Sequence, residues 1–239
     1  MSKADMPLKD QIAIVTGASE GIGKAIALAL AEAGASLALA ARTPEKLSAA
    51  ADEIRACTGS RVLEVLADLT RSADANLLAK RAIDEFGQVD ILVNNVGRGL
   101  RKSFVDTSDE DWQWLVATNL STVVYGCRAV LPDMLAQGHG MIINIASRSG
   151  RVGEANLAAY CAVKHGVIGL TRALAEEVGP KGIHVNVICP GGVRTERMER
   201  LLPQVDKSGW LAPEDVAAAV LFLATSASRT MQGQALDLF

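Results

Sequence analysis

The chain has 239 residues, a net charge of −3, 49% hydrophobic and 4% aromatic residues. That apolar content supports a full core and excludes intrinsic disorder, while the near-balanced charge leaves no electrostatic footprint for nucleic acid or an anionic membrane. The four cysteines and three histidines show neither a Cys-x-x-Cys pair nor metal-ligand spacing, so buried reduced thiols in a cytoplasmic protein with no metal site are expected.

Residues 1–10 mix charges without the apolar stretch of a secretory signal. The longest apolar runs, 25–31 and 34–41, fall well short of the ~20 residues that span a bilayer. The first strand is expected at 12–16, and the turn Thr16-Gly17-Ala18-Ser19-Glu20-Gly21-Ile22-Gly23 joins it to a helix at 21–33. Glycines let such a turn approach a pyrophosphate, and the helix N-terminus offers free N–H groups and a positive dipole end. No Gly-Lys-Ser/Thr follows, which excludes a nucleoside-triphosphatase loop.

A second strand at 36–41 ends in Ala41-Arg42. A carboxylate there would bind an adenosine ribose hydroxyl and repel a 2′-phosphate. Alanine removes it, and Arg42 supplies a planar fork suited to phosphate. Arg42 could also be a solvated helix-start arginine, but its place at the strand tip favours NADP(H); Glu20, a carboxylate near the same pocket, argues for NAD. Thr43-Pro44 then opens a helix at 44–57.

Further strands are expected at 62–66, 91–94, 141–145, 184–189 and 235–238, and further helices at 72–86, 108–137, 155–178 and 213–224. Thr107 and Glu110 have capping-box spacing, and Gly34, Gly59, Gly87, Gly138 and Gly179 fall where helices should end. The strands are continuously apolar, as suits a sheet buried on both faces. Strand–helix alternation predicts an α/β fold: one doubly wound, mostly parallel seven-stranded sheet with helices on both faces and right-handed crossovers, forming a single domain over 1–239.

Tyr160-Cys161-Ala162-Val163-Lys164 places a phenol and an ammonium on one helix face. A nearby Lys⁺ stabilises a phenolate and lowers its pKa from ~10, so the pair could exchange a proton near neutral pH. Ser147, just after the strand at 141–145, sits at the same sheet edge as the glycine turn. Arg98, Arg101, Lys102, Arg148 and Arg151 lie in the loops after the fourth and fifth strands and either receive an anionic group or are solvated. Trp112 and Trp114 read as packing residues.

In order, the motifs are Thr16-Gly-x-x-x-Gly-x-Gly23, Asp68-Leu69, Asn94-Asn95-Val96-Gly97, Asn119, Ser147, Tyr160-x-x-x-Lys164, and Pro190-Gly191 followed by Thr195. Over nearly its whole length the chain resembles the short-chain dehydrogenase/reductase family, in its compact single-domain branch with 3-oxoacyl-[acyl-carrier-protein] reductase-like members. The resemblance implies the doubly wound (Rossmann) fold and an NADP(H)-dependent interconversion of carbonyl and secondary alcohol. Tyr160 would be the acid/base, Ser147 would hold the substrate oxygen, Lys164 would lower the tyrosine pKa and bind the nicotinamide ribose, and Asn119 would organise a proton-resupplying water chain. Cofactor contacts are implied from Gly17, Ser19, Glu20, Gly21, Ile22 and Gly23, from Arg42 and Thr43, from Asp68 and Leu69, from Asn95, Val96 and Gly97, from Tyr160 and Lys164, and from Pro190, Gly191, Val193 and Thr195.

Val96 departs from the family's usual alanine, and Glu20 stands where NADP-preferring members often carry a base. The sequence closes on Asp237-Leu238-Phe239 where relatives continue through a glycine pair, and the short connection from Gly191 to Pro213 leads to the expectation of a small or open substrate lid. The segment 192–212 is expected to be helical, anchored only by Met198, Leu201 and Leu202, and to order on cofactor binding. Surplus apolar residues on the helices at 108–137 and 155–178, together with the resemblance, imply a homodimer or homotetramer. An epimerase or dehydratase, a dedicated 3-oxoacyl thioester reductase, and a non-turnover NADP(H)-binding regulator are the other readings.

Overall fold

The computed structural model describes residues 6–225 and 230–239. Seven parallel strands form one sheet in the order β3-β2-β1-β4-β5-β6-β7. They are β1 (Ile12–Thr16), β2 (Ser36–Ala41), β3 (Val62–Leu66), β4 (Ile91–Asn94), β5 (Gly140–Ile145), β6 (Ile183–Pro190) and β7 (Ala235–Leu238). The chain starts at the centre, winds outward to β3, then returns past β1 and winds the other way. The order therefore reverses between β1 and β4, which places a crevice at their carboxyl ends.

The central strands are buried along their length, because helices cover both faces. On one face α1 (Gly21–Glu32), α2 (Pro44–Thr58) and α8 (Pro213–Ala224) pack through Ile26, Leu30, Leu47, Ile54, Val216 and Val220. On the other, α3 (Ser72–Phe86), α5 (Thr122–Gln137) and α6 (Ala158–Val178) pack through Leu78, Ala82, Val123, Val130, Val167 and Val178. Residues removed from water on this scale are the dominant stabilising term. The short α4 (Asp109–Leu115) and α7 (Glu196–Leu201) complete the helices.

The predicted helix at 108–137 is divided: α4 and α5 are joined by a π-helical segment, Val116–Ser121. Its capping box is Ser108 with Asp111, one residue beyond the expected Thr107–Glu110 pair, and Asp111 Oδ2 is also held by Lys102 at 2.6 Å. Cys127, Cys161 and Cys189 are buried, but Cys57 is exposed on α2. Trp112 and Trp114 do not pack into the core as expected; each is 40% exposed.

Candidate active site

A cavity of about 460 Å³ opens at the β1/β4 crevice, lined from β1 to the segment after β6. That volume suits a ligand of cofactor or drug size. Its floor is the glycine turn. Gly17 and Gly21 have φ of +66° and +56°, where side chains are disfavoured, and a Cβ on Gly23 would lie 2.2 Å from Gly17 O. The turn can thus curl against the start of α1 only with glycine at these places. No side chain caps α1, so its first N–H groups remain available to an anion.

Asn95 fixes the turn from β4. Its Nδ2 donates to Thr16 O at 3.0 Å and Gly17 O at 3.3 Å, while Thr16 Oγ1 accepts from Asn95 N at 2.9 Å. The wall continues through Ser19, Glu20, Ile22, Arg42, Thr43, Asp68, Leu69, Val96 and Gly97, and through Pro190, Gly191, Val193 and Thr195. Asp68 Oδ1 accepts from Thr70 Oγ1 at 2.8 Å. Thr195 caps α7, accepting from Met198 N at 3.2 Å.

At the other end Ser147 and Tyr160 share the lining. Ser147 is carried by the turn after β5, where it accepts from Ser149 N at 3.2 Å. Asn119 and Lys164 lie behind this wall rather than on it. A Cβ on Gly97 would sit 3.0 Å from both Asn119 Oδ1 and Lys164 Nζ, so Gly97 is the space that lets them approach. Lys164 Nζ donates to Ile145 O at 3.0 Å and stands 5.8 Å from the Tyr160 ring centroid.

Burial pushes the Lys164 ammonium down to about 8. Burial also raises the Tyr160 phenol, opposed by the Ser147 hydroxyl and, more weakly, by the charge of Arg197. The expected downward shift of Tyr160 therefore does not occur in the protein alone, because desolvation of the phenolate outweighs the polar groups around it. Asn119 is fully engaged: Oδ1 accepts from Arg98 N at 3.0 Å, and Nδ2 donates to Arg98 O at 2.9 Å and Leu115 O at 3.0 Å. The π-helical turn carries it into this position.

A family model described as short chain dehydrogenase matches residues 11–206. The chain belongs to the short-chain dehydrogenase/reductase family. It is 38% identical to the (2S)-[(R)-hydroxy(phenyl)methyl]succinyl-CoA dehydrogenase subunit BbsD of Thauera aromatica, over 97% of this chain and 96% of that one. It is 35% identical to the 3-oxoacyl-[acyl-carrier-protein] reductase FabG of Chlamydia muridarum, over the same shares. Among solved structures, L-sorbose reductase from Gluconobacter frateurii, complexed with NADPH and L-sorbose, superposes with a TM-score of 0.90 at 30% identity, covering 98% of this chain and 97% of that one.

The cavity of this short-chain dehydrogenase/reductase also takes Lys46, Arg197, Met198 and Trp210, none of them expected as site residues. Lys46, on the first turn of α2, binds Glu20 Oε2 at 2.5 Å and holds its carboxyl below the usual range. Arg197 and Met198 arrive with α7, and Trp210 packs its ring against Gly192, where a Cβ would come within 2.6 Å. Trp210 reaches the cavity only because Val193 and Leu211 pair as a β-bridge.

That bridge also corrects the expectation for the lid. Leu211 N donates to Gly192 O at 2.9 Å and Arg194 N to Leu211 O at 2.8 Å, while the buried Lys207 donates to Leu202 O at 2.6 Å. The segment is tied at its roots by main-chain bonds, Trp210 and Lys207. α7 itself buries no residue. Among the described residues no group of three or more His, Cys, Asp or Glu converges, and no helix is long and apolar enough to cross a membrane.

Proposed function

We propose that the protein is an NADP(H)-dependent oxidoreductase that interconverts a carbonyl and a secondary alcohol, with Tyr160 giving and taking the proton. The observation that carries this reading is the placing of Ser147 and Tyr160 on one stretch of the cavity wall, backed by buried Lys164. The glycine turn, the uncapped start of α1 and Arg42, which makes no ion pair among the described residues, fit a dinucleotide with a 2′-phosphate. Bound there, the nicotinamide would supply the hydride chemistry.

The chain's own residues position and protonate. Ser147 orients the substrate oxygen. Tyr160 Oη donates its proton to that oxygen in reduction and accepts it in oxidation. With a pKa of about 8, Lys164 is still mostly charged at neutral pH and stabilises the phenolate left behind. Asn119 keeps the Arg98 backbone and the Lys164 pocket in place, and the proton relay implied for it would run through Lys164. Arg42, with Lys46 close by, favours NADP(H) over NAD. Glu20 opposes this less than its charge suggests, because Lys46 neutralises it.

The same reading includes a homodimer or homotetramer in the cytoplasm; the four free thiols support that compartment. The names of two relatives support a thioester substrate as the second reading, specifically 3-oxoacyl reduction. Replacing Tyr160 with Phe tests the assignment. Consumption of NADPH absorbance with a generic diketone should fall by about 10²–10⁴-fold while NADPH binding persists. Residual turnover within a few-fold of the parent would overturn the role.

A further inference from the structure

We propose that Arg98 and Arg197 form a two-guanidinium receptor for an anionic oxygen group of the substrate, a carboxylate, at the tyrosine end of the cavity. This names the substrate class of the site and rests on the carbonyl–alcohol reading above.

The structure sorts the basic loop residues by whether they are already occupied. Arg101 Nη1 donates to Ala155 O at 3.1 Å, Lys102 pairs with Asp111 at 2.6 Å, Arg151 pairs with Asp237 at 3.0 Å, and Arg148 lies over the Phe239 ring at 5.8 Å. Among the described residues Arg98 has no ion pair, and it lines the cavity. Its backbone is fixed by two hydrogen bonds with Asn119, Arg98 N donating to Oδ1 and Nδ2 donating to Arg98 O, so the residue at the base of the site holds the stretch of chain that carries this cation. Next to it, a Cβ on Gly99 would lie 3.9 Å from the Tyr160 ring. The backbone that carries Arg98 therefore passes beside the proton donor.

Arg197 enters the same lining from α7, half-buried and likewise without an ion pair. Three carboxylates share the wall, and none pairs with either arginine. Glu20 is bound to Lys46, Asp68 to Thr70, and Glu196 makes no ion pair among the described residues. Burial, then the charge of Arg98, holds the Arg197 guanidinium below its ordinary range, with the Glu20 carboxylate acting more weakly against them. Like charges on one cavity wall repel, and an anion between them relieves that repulsion. Guanidinium is the group whose fork matches a carboxylate bidentately.

The test is calorimetric binding to the NADPH-loaded protein. Acetoacetate, levulinate and 2-oxoglutarate are each compared with their methyl esters, and turnover of the same compounds is followed in parallel. At least one acid should bind about ten-fold or more tighter than its ester, the magnitude of hydrogen bonds to a charged group. Arg98→Gln and Arg197→Gln should each bring that ratio close to one, Arg98→Lys should retain part of it, and the NADPH affinity should hold. No acid preference in the unaltered protein, or a preference that survives both substitutions, overturns the receptor. So does an Arg197→Gln variant that loses NADPH as strongly as the acid, which would assign that guanidinium to the cofactor phosphates. Acid preference without NADPH consumption keeps the receptor and overturns the oxidoreductase reading; reduction without acid preference does the reverse.

Discussion

Lys164 is a cation held in a place that disfavours cations. Its folded pKa of about 8 lies below the ordinary 10.5. Below pH 8 both folded and unfolded chains carry the proton, so the full burial penalty acts, of order 3 kcal/mol by the shift. As pH rises from 8 toward 10.5 the folded state releases its proton first, and stability rises through that window. Lys164→Met should therefore be inactive yet more stable at neutral pH, by about 1–3 kcal/mol once the lost bond to Ile145 O is deducted. Thermal melts from pH 7 to 10 should show that advantage shrinking. Glu20 gives a second residue-scale expectation. A part-exposed ion pair contributes little, so Lys46 is easily released. Removing the carboxylate with Glu20→Gln should tighten NADPH about three- to ten-fold and leave NADH unchanged, whereas Arg42→Ala should weaken NADPH far more than NADH. Fluorescence titration of both cofactors decides; equal changes for the two would make these residues structural.

Elements divide the site into firm and loose parts. The π-helical turn Val116–Ser121 is firm because Asn119, completely buried, spends both ends of its amide on neighbouring backbone. α7 is loose: it is six residues long, buries none of them, and leaves Leu201 56% exposed. Its flanks are not loose, since the Val193–Leu211 bridge and Lys207 tie them. Local opening is inexpensive where few apolar contacts must break. Hydrogen exchange should thus be fast in α7 without NADPH and slow with it, because Thr195 caps the helix from the cavity wall. Gly192, Leu211 and β5 should be protected in both states. Equal protection of α7 and β5 without NADPH would make the pocket preformed.

For the whole molecule, the helices on the α3/α5/α6 face contribute more apolar surface than the sheet consumes. Val123, Val130, Val163 and Val167 are buried, but Val124, Leu131, Leu170 and Leu174 remain half-buried. Phe104 is 70% exposed, and α4 adds the two part-exposed tryptophans. Exposed apolar surface of this extent is characteristic of an interface. Light scattering should return a stable dimer or tetramer at working concentration; a monomer would refute the assembly.

The element order, the sheet and most of the cavity wall were legible in the sequence. They depend on local signals: apolar runs for doubly covered strands, glycine where φ turns positive at Gly17 and Gly21, and a Tyr–Lys spacing that one helix turn converts into a shared face. What only the tertiary structure decided are relations between distant segments. Burial, which depends on everything packed around Tyr160 and Lys164, moved their pKa values against the simple pair argument. The partner of Glu20 came from α2, the hold on Arg98 from a π-helical turn, and the pairing of Val193 with Leu211 from chain closure after β6. None of these has a sequence period. Which cations near the tyrosine are already paired and which are free is likewise a property of folded distances, and it is that difference which singles out Arg98 and Arg197.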